Sequence, residues 1–272
     1  MPLKHWQPSY KIKISRLKLK TETIYGIHPV LEGLKANRRK FHEIYIAEGK
    51  TNHRVDPIAD QAKSMGIPVT WVHRQKLQSL TGLDTHQGVA AVVSPYPVLD
   101  ISDLIGHQKN NPAPRFLLLI DNIQDPHNLG ALIRTALCAA ITGVVIPKDR
   151  SAEPSPTVSK ASAGALEHIR LSAVVNMVKT IDELKKNNVW VVGLDKDGDR
   201  SIYENDFTGN IALVVGGEEN GIRPLVKKNC DFLSFIPQHG PVSSLNASVA
   251  GAVAMYEAYR QRQSSCGKQP SR

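Results

Sequence analysis

The spacing of apolar and polar positions divides the chain into two α/β stretches separated by a proline-rich gap. In the first, from Thr23 to about Ser94, Val30, Leu31 and Leu34 recur at helical spacing and predict a helix over His28–Ala36 that stops near Asn37. Phe41–Ala47 alternates as a half-buried strand does. Val55–Met65 is helical, with Gly66 as its stop signal, and Ile67–Val72 is a strand with Pro68 near its start, where proline is tolerated. His73–Leu80 reads as a short helix and Val89–Val93 as a buried strand. Residues 95–114 carry Pro95, Pro97, Pro112 and Pro114 together with Asn110 and Asn111, and read as a linker with a short helix around Ser102–Gly106.

In the second stretch, Phe116–Asp121 is a near-continuous apolar run, the signature of a parallel sheet covered on both faces. The helix after it is predicted to bury Leu129, Leu132, Ile133, Ala136, Leu137 and Ala140. Strands follow at Gly143–Ile146, Val189–Leu194, Ile211–Val215 and Asp231–Ile236, with helices at Thr180–Asn187 and just after Arg223. A closing helix over Leu245–Arg262 sets Leu245, Val249, Val253 and Tyr256 along one face. The βαβα order predicts an α/β domain over 115–262, preceded by a small α/β domain over 23–94 and followed by a tail, 263–272.

A length of 272 residues agrees with roughly two domains. With 41% hydrophobic and 22% charged residues the chain can build cores, which excludes wholesale disorder. No apolar run approaches the ~20 residues of a membrane helix, so a membrane partner is not expected. Cys138, Cys230 and Cys266 are far apart and form no CxxC, and the N-terminus lacks a signal-peptide core. A reducing compartment, the cytoplasm, is the expectation. The net charge of +9 is unevenly placed: residues 1–40 hold ten Lys or Arg against Glu22 and Glu32. The basic arm, 1–22, suits a polyanion, nucleic acid first; a solvated tail explains the charge equally well. Within it Lys11–Lys20 alternates and could form a strand on a partner.

The motif scan removes several chemistries. No Gly-x-Gly occurs, so the dinucleotide fingerprint is absent, and Gly49-Lys50-Thr51 lacks the earlier glycine of a phosphate loop. There is no His-Glu-x-x-His and no Gly-x-Ser-x-Gly, and the ten histidines show no metal-ligand spacing, so no metal is expected.

Three clusters remain, each just past a predicted strand, where open α/β sheets bind ligands. Asp125-Pro-His-Asn128-Leu-Gly130 leads into a helix carrying Arg134; a capping Asn and a solvated Arg would account for it alone. Gly216-Gly217-Glu218-Glu219-Asn220-Gly221 has adjacent glycines that allow backbone to approach a ligand closely, with Glu218 as an acceptor; a tight turn with an acidic tip reads equally well. Ile236-Pro237…Gly240…Ser243-Ser244-Leu245-Asn246 opens the last helix. An N-cap at Ser243 or Ser244 explains one serine but not the whole loop.

Taken together, the clusters resemble the SpoU (TrmH-type) family of RNA ribose 2'-O-methyltransferases, within the SPOUT class. The family's Asn-x-Gly-x-x-x-Arg stands as Asn128, Gly130 and Arg134. Its Gly-x-Glu-x-x-Gly stands as Gly216, Glu218 and Gly221, and its Ile-Pro…Gly…Ser-Leu-Asn as Ile236, Pro237, Gly240, Ser244, Leu245 and Asn246. The resemblance covers about residues 115–262. The start of the small domain, Ile24–Val30, is similar to that of members modifying a guanosine in large-subunit rRNA, whose N-terminal domain resembles an RNA-binding ribosomal protein. Glu219 departs from the glycine that many members carry.

The resemblance implies an α/β domain with a C-terminal trefoil knot. It implies S-adenosylmethionine held by Gly216, Gly217, Gly221, Ile236, Leu245 and Asn246, and a homodimer whose active sites are completed across the interface. The implied reaction is methyl transfer to a ribose 2'-hydroxyl of RNA, foremost 23S rRNA rather than DNA. Arg134, Asn128, Glu218, Ser244 and Asn246 are the implied catalytic residues, with Arg134 gripping phosphate and developing alkoxide rather than acting as a base, because guanidinium stays protonated. The same chemistry on tRNA or on an rRNA adenosine is the nearest alternative. A non-catalytic RNA-binding assembly factor is the alternative of another class.

Overall fold

A computed structural model describes residues 20–49, 53–106, 114–240 and 244–265. The predicted arm up to residue 19, linker residues 107–113, Ser243 and the tail from 266 lie outside the described residues.

The first stretch forms a four-stranded sheet. Its elements are β1 (Glu22–Tyr25), α1 (Ile27–Ala36), β2 (Phe41–Ala47), α2 (Asp56–Ser64), β3 (Val69–Val72), α3 (Arg74–Thr81) and β4 (Val89–Val93). The order is β1-β4-β2-β3, with β2 and β3 parallel and the other pairs antiparallel. Ile24, Val30, Leu34, Ile44 and Ile58 pack between the sheet and the helices α1 and α2, while α3 seats Leu77 against Tyr25 and Ala90. β1 had no predicted counterpart: four residues are too few to display a period, and pairing with β4 defines the strand.

After α4 (Ile101–Gly106), the second stretch builds a parallel seven-stranded sheet. In chain order it comprises β5 (Phe116–Asp121), α5 (Pro126–Cys138), β6 (Gly143–Pro147), α6 (Pro156–Ala161), α7 (Ala165–His168), β7 (Leu171–Val174), α8 (Met177–Lys186), β8 (Trp190–Leu194), β9 (Arg200–Ser201), β10 (Ile211–Gly216), α9 (Pro224–Lys228), β11 (Phe232–Phe235) and α10 (Ala247–Ser265). The strand order is β7-β6-β5-β10-β8-β11-β9. Alternate residues of β5 face opposite cores: Phe116, Leu118 and Ile120 join α5 and α10, and Leu117 and Leu119 join α8 and α9. Every residue of β5 is buried, which is why its sequence is apolar without alternation. The short α6, α7 and β7 had no predicted counterpart.

Two helix faces differ from expectation. On α5 the predicted stripe is buried from Leu129 to Ala136, but Leu137, and Ala140 just beyond the helix, are exposed. On α10 the predicted stripe faces outward: Val249 is 48% and Tyr256 50% exposed, and Leu245 just before the helix is exposed too. The buried face is instead Ala247, Gly251, Ala254, Met255 and Ala258. The small residues Ala247, Gly251, Ala254 and Ala258 let α10 lie close on α5 and β10; a Cβ on Gly251 would overlap Leu132.

The two α/β units are joined through α6 and α7. Arg39, on the loop before β2, is almost fully buried. It donates through Nε to the Ser94 carbonyl (2.9 Å) and pairs with Glu22 and with Glu167 of α7 (3.4 Å), whose Oε1 also accepts from the Ser159 hydroxyl (2.7 Å). His168 meets Glu32 of α1 at 2.8 Å.

Candidate active site at the carboxyl ends of the sheet

β5 and β10 run side by side at the centre of the sheet, with Asp121 in register with Gly216. The chain leaves β5 toward β6 on one side, while β8 and β11 lie on the other. Their carboxyl ends therefore open at a reversal of strand order, where α/β sheets place ligands.

The loop after β5 is set by Asp125, which caps α5: its carboxylate accepts from the backbone N–H of His127 (3.0 Å) and Asn128 (3.3 Å). Asp125, not Asn128, is thus the cap, and the Asn128 side chain is left to reach across the crevice. Its Nδ2 donates to Glu218 Oε1 at 2.7 Å. At the start of α10 the cap is Asn246 rather than a serine. Its Oδ1 accepts from the backbone N–H of Ser248 (2.9 Å) and Val249 (3.3 Å). Its Nδ2 faces the other way and donates to Glu218 Oε1 and to Asn128 Oδ1 (3.2 Å). One residue from each of the three sequence clusters therefore meets in a closed hydrogen-bonded triangle.

Gly216 and Gly217 line the cavity, and on the side where a side chain would project they are closed over by the protein itself. A Cβ on Gly216 would overlap the backbone of Gly221 and Ile222, and one on Gly217 would overlap the Asn122 carbonyl. What lies on that side is the protein's own chain, folded into a tight turn closed by the Gly221 N–H on the Gly217 carbonyl (2.9 Å). Gly221 has open space around it but a φ of 61°, which a glycine adopts without strain.

Asp121 fastens this turn. Fully buried at the end of β5, it accepts from the backbone N–H of Arg223 (2.8 Å) and from its guanidinium Nε (2.8 Å). Sequence reasoning missed both residues as parts of the site. The available signal was a carboxylate ending a run of five buried apolar residues, a place where an ionised side chain needs a partner.

A cavity of about 960 Å³ opens beside the turn. Gly216, Gly217, Glu218, Gly221, Ile236, Ser244 and Leu245 line it, as expected of a common site. Asp195, Asp197, Arg150 and Lys227 also line it, none of them singled out by the sequence. Asn128 lines a smaller neighbouring cavity of about 200 Å³, which shares Gly217 and Glu218 with the larger one. Arg134 lines neither. It lies six residues, about 9 Å of helix rise, beyond Asn128, exposed on α5 and without a hydrogen bond or ion pair among the described residues.

The larger cavity suits a nucleoside-bearing cofactor. Leu194, Val215, Ile222, Ile236 and Ala250 give it apolar walls, and Asp195 and Asp197 offer acceptors for hydroxyls. Ile236, Ser244 and Leu245 have no hydrogen-bond partner among the described residues, so their backbone groups remain available to a ligand.

Comparison with known proteins places these features in a family. Residues 115–256 match the model of the SpoU rRNA Methylase family, and residues 23–99 match that of the RNA 2'-O ribose methyltransferase substrate-binding domain. The chain is 41% identical over 247 residues to the 23S rRNA (guanosine-2'-O-)-methyltransferase RlmB of Photorhabdus laumondii subsp. laumondii, covering 90% of this chain and 100% of that protein. The RlmB of Escherichia coli K12 is 40% identical, covering 89% of this chain and 99% of its own length. Among solved structures, the SpoU methyltransferase AviRb from Streptomyces viridochromogenes, in complex with AdoMet, superposes with a TM-score of 0.76. That match covers 90% of this chain and 91% of AviRb, at 22% identity, and bears on the fold.

Proposed function

The chain belongs to the SpoU rRNA methylase family, and from that premise we infer that it transfers a methyl group from S-adenosylmethionine to the ribose 2'-hydroxyl of a guanosine in 23S rRNA. The observation that carries this reading is the Asn128–Glu218–Asn246 triangle, whose Glu218 lines the 960 Å³ cavity. It joins residues 118 positions apart at one point, beside a pocket suited to a nucleoside.

The cofactor, when bound, supplies an activated methyl group, which leaves the protein to position the ribose and receive a proton. Gly216, Gly217, Gly221, Ile236 and Leu245, which line the cavity, would hold the cofactor by backbone and cavity wall, with Asn246 beside them at the start of α10. Glu218 binds both amides through Oε1, leaving Oε2 to accept the 2'-hydroxyl proton as the oxygen–carbon bond forms and the methyl–sulfur bond breaks. Asn128, Asn246 and Ser244 fix the carboxylate and the ribose. Arg134 grips the neighbouring phosphate and stabilises charge developing on the oxygen.

Arg134 lies outside the cavities of its own chain, and the outward stripe of Leu245, Val249 and Tyr256 runs along the adjoining helix α10. We place a second copy of the chain on this stripe, so that each active site takes the partner's Arg134. The small N-terminal unit and the basic arm bind the RNA, and the enzyme works in the cytoplasm; among the described residues no helix is long and apolar enough to cross a membrane.

The test is transfer of label from methyl-labelled S-adenosylmethionine to isolated 23S rRNA, followed by mapping of the product. A 2'-O-methylated guanosine is the expected outcome. Label on another nucleotide would overturn the substrate assignment, and no transfer would overturn the enzymatic reading.

A further inference from the structure

The loop between β6 and α6 carries Arg150, whose backbone φ of 58° lies in the left-handed region that non-glycine residues seldom occupy. The loop is held there from the next element over. Ala152 donates its N–H to the Ile123 carbonyl (2.8 Å), and the Ser151 hydroxyl donates to the same oxygen (3.2 Å). Ile123 belongs to the loop that presents Asp125 and Asn128. Arg150 is thereby tied to the Asn128 side of the site, and it lines the large cavity together with Asn122, Gly217 and Glu218.

The charges lining that cavity show what Arg150 is free to do. Arg223 is engaged by Asp121 and Lys227 by Asp195 at 2.9 Å, and Lys196, exposed and without an ion pair among the described residues, follows β8 on the side away from Asn128. Arg150 is exposed and has no partner among the described residues. A guanidinium held in a strained backbone, at the mouth of a cavity and without a carboxylate, is arranged for an anion from outside, and its planar fork suits two oxygens of one phosphate.

Strand order separates two possible anions. Arg150 follows β6 and Ile236 follows β11, and the order β6-β5-β10-β8-β11 sets these ends four strand spacings apart, about 19 Å. The unpartnered backbone at Ile236 is at the far end from Arg150, and Glu218 lies between them. Resting on the methyltransferase reading above, we propose that Arg150 binds a backbone phosphate of the RNA strand next to the methylated ribose and so positions that strand over Glu218.

The test compares full-length wild-type protein with Arg150→Ala, Arg150→Lys and Arg150→Gly. RNA affinity is read by direct binding to a 23S rRNA fragment, so the result stands whether or not turnover is seen; a wild type that binds but transfers no methyl would count against the enzymatic reading alone. Arg150→Ala is expected to weaken RNA binding about tenfold and to flatten the slope of log affinity against log salt by about 0.7–0.9, one phosphate's share. S-adenosylmethionine affinity stays unchanged by calorimetry. Arg150→Lys keeps the salt slope but not the full affinity. Arg150→Gly loses RNA affinity like alanine while melting at a higher temperature, because glycine relaxes the left-handed backbone. Unchanged RNA affinity and slope in the alanine variant would overturn the proposal. So would a loss of S-adenosylmethionine affinity, which would assign Arg150 to the cofactor's carboxylate.

Discussion

Asn246 performs two tasks with opposite ends of one amide. Its oxygen caps α10 and its nitrogen reaches Glu218 and Asn128. The tasks separate by substitution. Asn246→Ala removes both, and is expected to destabilise the fold by about 1 kcal/mol, the usual loss of an N-cap, and to lower turnover. Asn246→Asp keeps an oxygen for the helix but replaces the donor with a carboxylate facing Glu218. It should retain the wild-type melting temperature to within a few degrees and still lose roughly 100-fold in turnover, the scale seen when one positioned hydrogen bond at a reacting centre is removed. Thermal unfolding and single-turnover methyl transfer measure the two arms; an aspartate variant with normal turnover would remove the Asn246 donor from the mechanism.

At the scale of elements, the turn after β10 is a folded object in its own right. Gly216 is closed over by Gly221 and Ile222, Gly217 by Asn122, and the segment is fastened by Arg223 on Asp121. A methyl group added at Gly216 must displace backbone rather than a flexible side chain. Gly216→Ala is therefore expected to destabilise the protein by about 1–3 kcal/mol, as overpacking does, and to weaken cofactor binding with it. Denaturant unfolding and calorimetry together test this. Lost cofactor affinity at full stability would mean that the methyl group enters the cavity and leaves the turn in place.

For the whole molecule, the buried Arg39–Glu167 contact couples the two α/β units. Burial pushes the Glu167 carboxyl above its ordinary value of 4.5, against the opposing pull of Arg39 and the Ser159 hydroxyl. The folded state then holds that proton to higher pH than the unfolded chain does. The stability this group contributes is present below pH 4.5 and is lost as pH rises through the raised value. Glu167→Gln removes the titration, so wild type should lose melting temperature relative to Glu167→Gln as pH rises above about 4.5. Arg39→Ala leaves Glu167 buried without its cation, and a loss of about 3–5 kcal/mol is expected. A parallel pH dependence in wild type and Glu167→Gln would show that Glu167 titrates alike in folded and unfolded chains.

The order of strands and helices was legible wherever an element carries its own signal. β5 is buried on both faces and reads as Phe-Leu-Leu-Leu-Ile, and α5 shows its inner face as Leu129, Leu132, Ile133 and Ala136. The chemistry was legible as three clusters at strand ends, because a loop that must be polar after an apolar strand stands out. Which strands are neighbours was not legible. β10 lies between β5 and β8, and only that placement brings Asn128, Glu218 and Asn246 together. Nor could periodicity tell which side of α10 faces inward: Leu245, Val249 and Tyr256 form the more apolar stripe, yet Ala247, Gly251, Ala254 and Ala258 are small enough to lie against α5, and close packing overrides side-chain hydrophobicity there. The same holds for Arg150 and Asp121. Each is a single charged residue in sequence, and its meaning comes from what lies beside it: for Asp121 a guanidinium from 102 positions away, for Arg150 the rim of the cavity. Local sequence fixes the period and polarity of each segment, because those depend on neighbours within a few residues. Strand order, helix facing and charge pairing depend on contacts between distant segments, which exist only once the sheet has assembled.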